Sequence, residues 1–159
     1  MNLLRKTWVI AIAVMMGACH SETLDIVSPN GNLKITIEPS EKNASGETSF
    51  SVAYKEKNIL SGSRLGLETD VQKLAGNLKL KEVSASKRVI DDYRMITGKR
   101  SLCTNEASER VYSFENETGQ TLEVTFRAYN DGIAFKYGIK AISDKENVTH
   151  EHTTYIIPK

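Results

Sequence analysis

Apolar and polar residues alternate most regularly in residues 121–142 of this 159-residue chain. An alternation with a period of two is typical of a strand that buries one face, and the stretch contains two such runs. Between the runs, Asn130 and Asp131 tolerate left-handed backbone angles and Gly132 takes positive φ at little cost, so a turn is expected. The stretch therefore predicts a β-hairpin. Its alternating apolar positions are Leu122, Val124, Phe126 and Ala128 in the first run and Ile133, Phe135, Tyr137 and Ile139 in the second.

Shorter runs of the same kind fill most of the remaining chain. Residues 24–26 and 33–37 flank a turn with Pro and Asn-Gly signals at residues 28–32, which predicts a first hairpin. Residues 70–76, where Val71 and Leu74 are three apart, favour a short helix. Roughly nine to eleven short strands separated by turn signals indicate an all-β fold, most simply a sandwich of antiparallel strands. The further runs lie at residues 50–54, 59–60, 65–67, 78–83, 89–90, 111–114 and 148–157, with a turn at residues 55–58 and a break at residues 61–63.

The N-terminus has the pattern of a bacterial secretory signal. Arg5 and Lys6 precede an apolar segment at residues 8–16, and small residues follow it before Cys19. A cysteine at the cleavage point resembles a lipoprotein signal, in which the thiol receives a diacylglyceryl group and two or more acyl chains give stable anchoring. We expect residues 1–18 to be removed, Cys19 to carry the lipid and residues 19–159 to form the domain. An ordinary signal peptide with a chance cysteine is the alternative.

Composition narrows the classes of partner. Without Arg5 and Lys6 the 21 basic residues fall to 19, against 20 acidic ones, so the mature chain has a net charge near −1. Its length suffices for one buried core, and the hydrophobic fraction of 40 % is ordinary for a globular domain. The sequence contains no basic patch interleaved with aromatic residues, so nucleic acid is not an expected partner.

Cysteine and histidine supply two candidate sites. Cys103 lies in the polar stretch of residues 99–109 without a neighbouring His, which favours a free thiol over a nucleophile. With Cys19 lipidated, no intramolecular disulfide is expected. His150 and His152 share one face of a predicted strand and could supply two ligands of a zinc site. The sequence offers no third ligand, so a solvated strand edge is the favoured interpretation.

Carboxylates, an arginine and several tyrosines are the side chains that sugar chemistry would use. Asp91 and Asp92 are adjacent, but a glycosidase needs two carboxylates held several ångströms apart in a cleft, which sequence cannot place. Asp131 is expected to bond to backbone in its turn. Arg127 could pair with Asp131 or with a sugar hydroxyl, with a structural role favoured. No catalytic residue is assigned. The tyrosines, which could stack on sugar rings but at strand period more often pack against neighbours, are Tyr54, Tyr93, Tyr129 and Tyr137.

Residues 126–137, which read FRAYNDGIAFKY, resemble the FRAYDDGVAFRY stretch of the N-terminal domain of glycoside hydrolase family 97. Further pieces of that domain follow in the same order, so the resemblance covers residues 24–157, and the order and spacing together are fairly specific. The pieces are Ser28-Pro29-Asn30-Gly31, a Leu-Lys-Ile-Thr strand at residues 33–36, a hairpin at residues 51–60, a Ser-x-Leu-Gly-Leu step at residues 63–68 and a Gly-x-x-Ser segment at residues 98–101.

The resemblance implies an antiparallel β-super-sandwich of the galactose-mutarotase type. In the family this domain packs on a (β/α)8 barrel that carries the catalytic carboxylates of exo-acting α-glucosidases or α-galactosidases, retaining or inverting, with calcium at the active site. Such enzymes are expected in the periplasm or on the outer membrane of Bacteroides-like bacteria. The barrel is missing here and the domain is shorter than in the family, so we expect an incomplete sandwich with no catalytic or metal-binding residues, the calcium ligand lying beyond Lys159.

Two functions follow from this reasoning. The first is a non-catalytic, carbohydrate-associated front domain of an α-glycosidase, inactive alone, whose partners are an α-linked oligosaccharide and a separately encoded barrel. The alternative is an autonomous β-sandwich lipoprotein that binds a glycan or a protein. In both cases the lipid on Cys19 attaches the domain to a membrane.

Overall fold

The computed structural model describes residues 23–99 and 101–159, and the expected signal peptide and Cys19 lie outside these ranges. The described residues form twelve strands and one short 3₁₀ turn, Ser40–Lys42. Among them no helix has the length and apolar character needed to cross a membrane. The strands are β1 (Ile26–Val27), β2 (Leu33–Glu38), β3 (Ser49–Tyr54), β4 (Lys57–Arg64), β5 (Gly66–Thr69), β6 (Lys73–Ala75), β7 (Lys79–Val83), β8 (Lys87–Arg94), β9 (Leu102–Glu115), β10 (Thr121–Tyr129), β11 (Ile133–Ile139) and β12 (Val148–Glu151).

These strands form three antiparallel sheets. The first sheet has the order β1-β2-β3-β4 and follows the chain as a meander. The second has the order β11-β10-β9-β7, with β8 also paired to β9. The third is a small sheet in the order β12-β5-β6. The arrangement confirms the predicted all-β, antiparallel fold.

A shared core fills the space between the sheets. Its buried residues occupy alternate positions of β2, β9 and β10, as the period-two pattern predicts. An aromatic cluster joins the two larger sheets, because the ring centroid of Phe126 lies 5.4 Å from that of Phe50 and 5.2 Å from that of Phe135. Tyr112 packs edge-on against Phe126 at 6.1 Å. Tilted and edge-to-face ring pairs stabilise a core beyond the burial of their area.

Both predicted hairpins are confirmed. β1 pairs with β2, and β10 pairs with β11 over consecutive residues without a register shift. The turn of the second hairpin closes with a backbone hydrogen bond of 2.8 Å from Tyr129 N to Gly132 O. The two turns also contact each other, since Asn30 N donates to Asn130 Oδ1 at 2.9 Å. In this turn it is therefore the side chain of Asn130, next to Asp131, that accepts a backbone hydrogen bond from the other hairpin.

The predicted helix at residues 70–76 is wrong. The segment contains β6, which pairs antiparallel with β5. A tight turn takes the place of a first helical turn, because Thr69 N donates to Gln72 O at 2.8 Å and Gln72 N donates to Thr69 Oγ1 at 2.8 Å. Leu74 is buried and Val71 is exposed. Their spacing of three therefore does not mark one face of a helix.

Two strands are longer than their patterns predict. β4 continues through the expected break at residues 61–63, where an extra residue and Gly62 at φ +63° form a bulge opposite β3. β9 covers 14 residues, whereas the apolar pattern marked only residues 111–114. The added part of β9 is mostly polar, and its few apolar residues do not alternate, so it carries no period-two signal.

The last predicted run, residues 148–157, is only partly a strand. β12 ends at Glu151, and we call residues 152–157 the C-terminal segment. This segment lies along the edge of β4, where Thr154 N donates to Arg64 O at 3.2 Å and Ser61 N donates to Ile156 O at 2.9 Å. The segment thereby covers the β4 edge of the first sheet.

Candidate functional site

The outer face of the second sheet, opposite the core, carries a row of charged side chains. The register places Arg127 of β10 beside Glu109 of β9, and Glu109 beside Lys87 of β8. Residues that lie opposite one another on adjacent strands point to the same face and interact. Arg127 Nε donates to Glu109 Oε2 at 2.6 Å, and Lys87 Nζ lies 2.8 Å from Glu109 Oε1.

Arg127 also binds a second carboxylate. Its Nη1 donates to Asp91 Oδ2 at 2.8 Å, and the Tyr129 hydroxyl lies 3.5 Å from each of these two atoms. The planar guanidinium group suits such contacts because its N–H groups point in fixed directions. Arg127 therefore ties three strands together. We call this group the outer-face cluster; it consists of Lys87, Asp91, Glu109, Arg127 and Tyr129.

Electrostatics favour the charged forms of Glu109 and Arg127. Hydrogen bonds from Lys87 and then Arg127 lower the pKa of the Glu109 carboxyl, and burial opposes them only in part. Contacts with the Tyr129 hydroxyl and the Glu109 carboxylate raise the pKa of the Arg127 guanidinium. Glu109 is buried, and a buried carboxylate is tolerated when both of its oxygens have charged partners.

We expect the Glu109→Gln variant to show a flatter dependence of stability on pH than the wild type. The folded-state pKa of Glu109 is lowered, so its stabilising effect is complete above the unfolded pKa of about 4.3 and is lost as pH falls through the folded value. The wild type should therefore lose more stability than the variant on acidification below about pH 4.5. Urea midpoints measured at several pH values between neutral and acidic test this expectation.

Glu123→Gln is the matched control, because Glu123 is an exposed glutamate on the same face of β10. Its profile should follow that of the wild type. Equal slopes for wild type and Glu109→Gln in the acidic range would contradict the role assigned to Glu109.

A shallow hollow of 270 Å³ lies beside the cluster on β10 and β11. It offers N–H and O–H donors next to an aromatic ring, which is the mixture of groups that binds a polyhydroxylated ligand at a surface. Its hydrogen-bonding groups come from Arg127, Tyr129, Lys136 and Thr125. The residues that line it are Thr125, Arg127, Tyr129, Ala134, Phe135 and Lys136.

The adjacent carboxylates Asp91 and Asp92 do not form a catalytic pair. Neighbouring residues of a strand point to opposite faces. Asp91 binds Arg127 on the outer face, and Asp92 accepts a hydrogen bond of 2.6 Å from Thr104 Oγ1 on the other. Each carboxylate therefore stabilises its own part of the sheet.

The other candidate residues are dispersed over the domain. Cys103 is a half-buried free thiol in β9, opposite Tyr93 of β8. Tyr54 is exposed on the first sheet, whereas Tyr137 packs against Phe135 at a centroid distance of 5.5 Å. Of the predicted tyrosines, only Tyr129 lines the hollow beside the cluster.

The two histidines lie at a sheet edge, as the favoured interpretation predicts. β12 is an edge strand of the third sheet, and the His150 and His152 ring centroids are 5.7 Å apart. His152 Nε2 lies 3.0 Å from Glu68 Oε2, and this contact lowers the pKa of Glu68. In residues 23–99 and 101–159, no group of three or more His, Cys, Asp or Glu side chains could hold a metal ion.

Sequence reasoning found Arg127 but missed its partners. The favoured structural role of Arg127 is confirmed. Asp131, one of the two partners considered for it, is not its partner, because the Arg127 guanidinium points across the sheet toward β9 and β8. Glu109 is 18 residues away and Asp91 is 36 residues away. Glu109 and Lys87 could be recognised as neighbours of Arg127 only from the register of β8, β9 and β10. A short stretch of sequence does not determine that register.

The fold and the outer-face cluster define an antiparallel β-sandwich domain with a charged, hydrogen-bonding face. The model of one family, described as Glycosyl-hydrolase 97 N-terminal, matches residues 26–159. The chain belongs to this family, so it is an N-terminal domain of the kind found in a family of glycoside hydrolases. The predicted resemblance is thereby confirmed.

Solved structures agree with this assignment. A β-arabinopyranosidase shares 28 % identity and a TM-score of 0.76, over 84 % of this chain and 21 % of its own. A glycoside hydrolase family 97 enzyme from Pseudoalteromonas sp. strain K8, in complexes with panose and with acarbose, shares 25 % identity and a TM-score of 0.72, over 84 % of this chain and 20 % of its own. The chain thus spans about a fifth of the length of these enzymes. No curated protein matches it.

Proposed function

We propose that this chain is the non-catalytic front domain of an exo-acting α-glycosidase, an α-glucosidase or an α-galactosidase, and is inactive alone. The family match over residues 26–159 carries the proposal. Asp91 and Glu109, the carboxylates that meet on the outer face, are both bound to Arg127, so neither is free to act as a nucleophile or general base. The catalytic carboxylates would be supplied by a (β/α)8 barrel, encoded separately or elsewhere in the same enzyme.

Hydrolysis assays test whether this domain is inactive without the barrel. The purified chain, given an aryl α-glucoside or an aryl α-galactoside with calcium present, should release no product above the buffer rate. The Pseudoalteromonas enzyme serves as the positive control for the assay. Clear turnover that persists through a second purification step would refute the non-catalytic role.

We further propose that the hollow beside the outer-face cluster contacts an α-linked oligosaccharide. The Pseudoalteromonas neighbour binds panose and acarbose, and the hollow combines charged donors with the ring of Tyr129. Panose and acarbose are therefore the probes. Tyr129→Ala should weaken panose binding by roughly tenfold, because the loss of one aromatic contact is worth on the order of 1 kcal/mol. Tyr93→Ala, an exposed tyrosine on β8, should leave it unchanged, and equal affinities for all three proteins would exclude this hollow.

Localisation is proposed from the N-terminal motif. Cys19 would carry the lipid and hold the domain at a membrane facing the bacterial periplasm or on the outer membrane. Expressed in a bacterial host, the full chain should fractionate with membranes and Cys19→Ala should not. A membrane-bound Cys19→Ala variant would favour an uncleaved signal instead.

We propose that calcium binds only in the whole enzyme and not to this domain alone. Within the described ranges the His, Cys, Asp and Glu side chains form no group of three that could hold a metal ion, so a calcium site does not fit these residues alone. The ion would assist catalysis where the barrel supplies the remaining ligands.

The alternative function, an autonomous lipoprotein that binds a glycan or a protein, is favoured by the continuous core shared by the three sheets. A cooperative thermal transition of the full chain, without binding of a hydrophobic dye, would support it. A molten state with strong dye binding would favour the domain role within a larger enzyme.

A further inference from the structure

The second sheet has two edges that differ in their protection. Charged side chains, prolines and bulges are how edge strands avoid pairing with other chains. β11, which reads IAFKYGI, has one charged residue, Lys136, and pairs with β10 without a bulge. Among the described residues β11 has no strand on its other side. The edge strand β8, by contrast, carries Lys87, Arg88, Asp91, Asp92 and Arg94.

The hairpin geometry shows which backbone groups of β11 face this free edge. In an antiparallel pair, residues alternate between hydrogen-bonded and non-hydrogen-bonded positions. The bond from Tyr129 N to Gly132 O sets the phase, so Ala134, Lys136 and Gly138 bond to β10. The N–H and C=O groups that point outward therefore belong to the alternate residues, Ile133, Phe135, Tyr137 and Ile139.

A groove runs along this edge. It has a volume of 360 Å³ and lies between β11 on one side and Glu151 and Tyr155 on the other. A second groove of 690 Å³ continues it at the turn end of the hairpin, between Ile133 and Ile157. We call the two together the edge slot.

The floor of the edge slot is apolar and open to water. Tyr155 and Ile157 of the C-terminal segment are 61 % and 74 % exposed. Tyr155 nevertheless contacts the buried ring of Phe50, at a centroid distance of 6.5 Å. The aromatic core thus reaches the surface at this point, and a partner that buries these exposed apolar side chains would stabilise the fold.

The slot defines the chemistry of what would fill it. An added strand would place apolar side chains opposite Phe135 and Tyr137, because residues opposite one another on paired strands share a face. Its other side chains would lie on the outer face beside Lys136, where an acidic residue is favoured by charge. A second copy of β11 carries no acidic residue in the strand and matches this requirement poorly.

We propose that the free edge of β11 takes a β-strand from the part of a family-97 enzyme that lies outside this domain. The inference rests on the proposed function and names the partner surface. The similar solved enzymes share this fold over 84 % of the chain, but the matched part makes up only 20–21 % of their own length, so they hold the polypeptide that could supply the strand. Strand addition satisfies the outward backbone groups and covers Tyr155 and Ile157 in one step.

Amide hydrogen exchange of the full chain tests the first half of the proposal. The outward amides of Phe135 and Tyr137 should exchange fast, while the inward amides of Lys136 and Gly138 are protected by β10. Equal protection of both sets in a monomer would overturn the proposal, since the edge would then be occupied already. Protection that rises with concentration together with a dimeric mass would overturn it in favour of a second copy.

A chimera tests the second half. Residues 26–159 replace the matched fifth of the Pseudoalteromonas enzyme, and exchange is measured again. The outward amides should slow by roughly a hundredfold while the inward amides change little. Unchanged outward exchange in a folded chimera overturns the proposal. If the chimera does not fold, amide exchange is measured in the wild-type Pseudoalteromonas enzyme, at the strand equivalent to β11. Fast exchange of the outward amides there would also overturn the proposal.

Matched charge substitutions locate the docking surface. In the chimera, Ile157→Asp should restore fast exchange of the outward amides, because it places a charge in the slot. Ile96→Asp makes the same change at an exposed isoleucine between β8 and β9 and should have no effect. If Ile96→Asp restored fast exchange and Ile157→Asp did not, the strand would dock at the β8–β9 end and the proposal would be overturned.

Turnover of the chimera is recorded separately. Protected outward amides without hydrolysis of aryl α-glycosides would leave the strand addition intact and count against the proposed enzyme role. Hydrolysis of aryl α-glycosides with unprotected outward amides would support the proposed enzyme role and overturn the strand addition.

Discussion

Replacing Phe126 by alanine is expected to lower the free energy of unfolding by about 3–5 kcal/mol. Phe126 is fully buried, and the rings of Phe50, Phe135 and Tyr112 surround it. These rings come from both large sheets, so the cavity cannot be closed by moving one strand. The loss therefore combines the transfer energy of the removed ring with the energy of the cavity left behind.

Urea unfolding of the full chain measures the effect. Phe126→Leu keeps most of the apolar volume and should cost clearly less. Tyr93→Ala removes an exposed ring from β8 and should change stability by no more than about 0.5 kcal/mol. A loss below about 1 kcal/mol for Phe126→Ala would mean that the two sheets do not share one core.

The parts of the fold that sequence predicted are those where local chemistry and tertiary packing agree. Phe126 alternates with polar neighbours and lies next to a strong turn signal, so its strand, its buried face and its hairpin partner all follow from a short stretch. Sequence alone could not predict that Phe50 would pack against it, because that contact joins separate sheets.

The failures have a common physical cause. β6 and the first half of β9 are stabilised by pairing with the strand that precedes each of them, β5 and β8, and neither has an apolar period of its own. Leu74 is buried because β6 pairs with β5 against the core, which overrides its helix-like spacing from Val71. Gly62 looked like a break, whereas its positive φ accommodates a bulge within a continuous strand.

For the outer-face cluster, too, the sequence predicts one residue but not the residues that surround it. Arg127 lies in the stretch that carries the family resemblance, and a structural role was predictable for it. Its carboxylate partners depend on the alignment of β8, β9 and β10, since a slip of one residue would turn every side chain to the other face. The edge slot likewise exists only through the path of the C-terminal segment, which the alternation in residues 148–157 did not reveal.

Gly66→Ala is expected to cost about 1–3 kcal/mol of stability, although it adds a single methyl group. A Cβ at position 66 would lie 2.7 Å from Ala75 Cβ and 3.0 Å from Ala75 Cα, so β5 and β6 could not keep their spacing. It would also lie 3.3 Å from His152 Cβ. Gly132→Ala is the control. Gly132 does not take the positive φ expected for its turn, and a Cβ there meets nothing within 4 Å, so the stability of this variant should match the wild type.

The effect of Gly66→Ala should extend to the edge slot. Gly66 O accepts a hydrogen bond of 2.9 Å from His152 N, and Gly66 N donates to the Tyr137 hydroxyl at 3.1 Å. A shift of β5 therefore displaces both the start of the C-terminal segment and a residue of β11. The double variant Gly66→Ala, Ala75→Gly removes the closest clash and should recover part of the lost stability. Full stability of the single variant, measured by urea unfolding, would show that β5 and β6 can separate freely and that Gly66 does not hold the C-terminal segment in place.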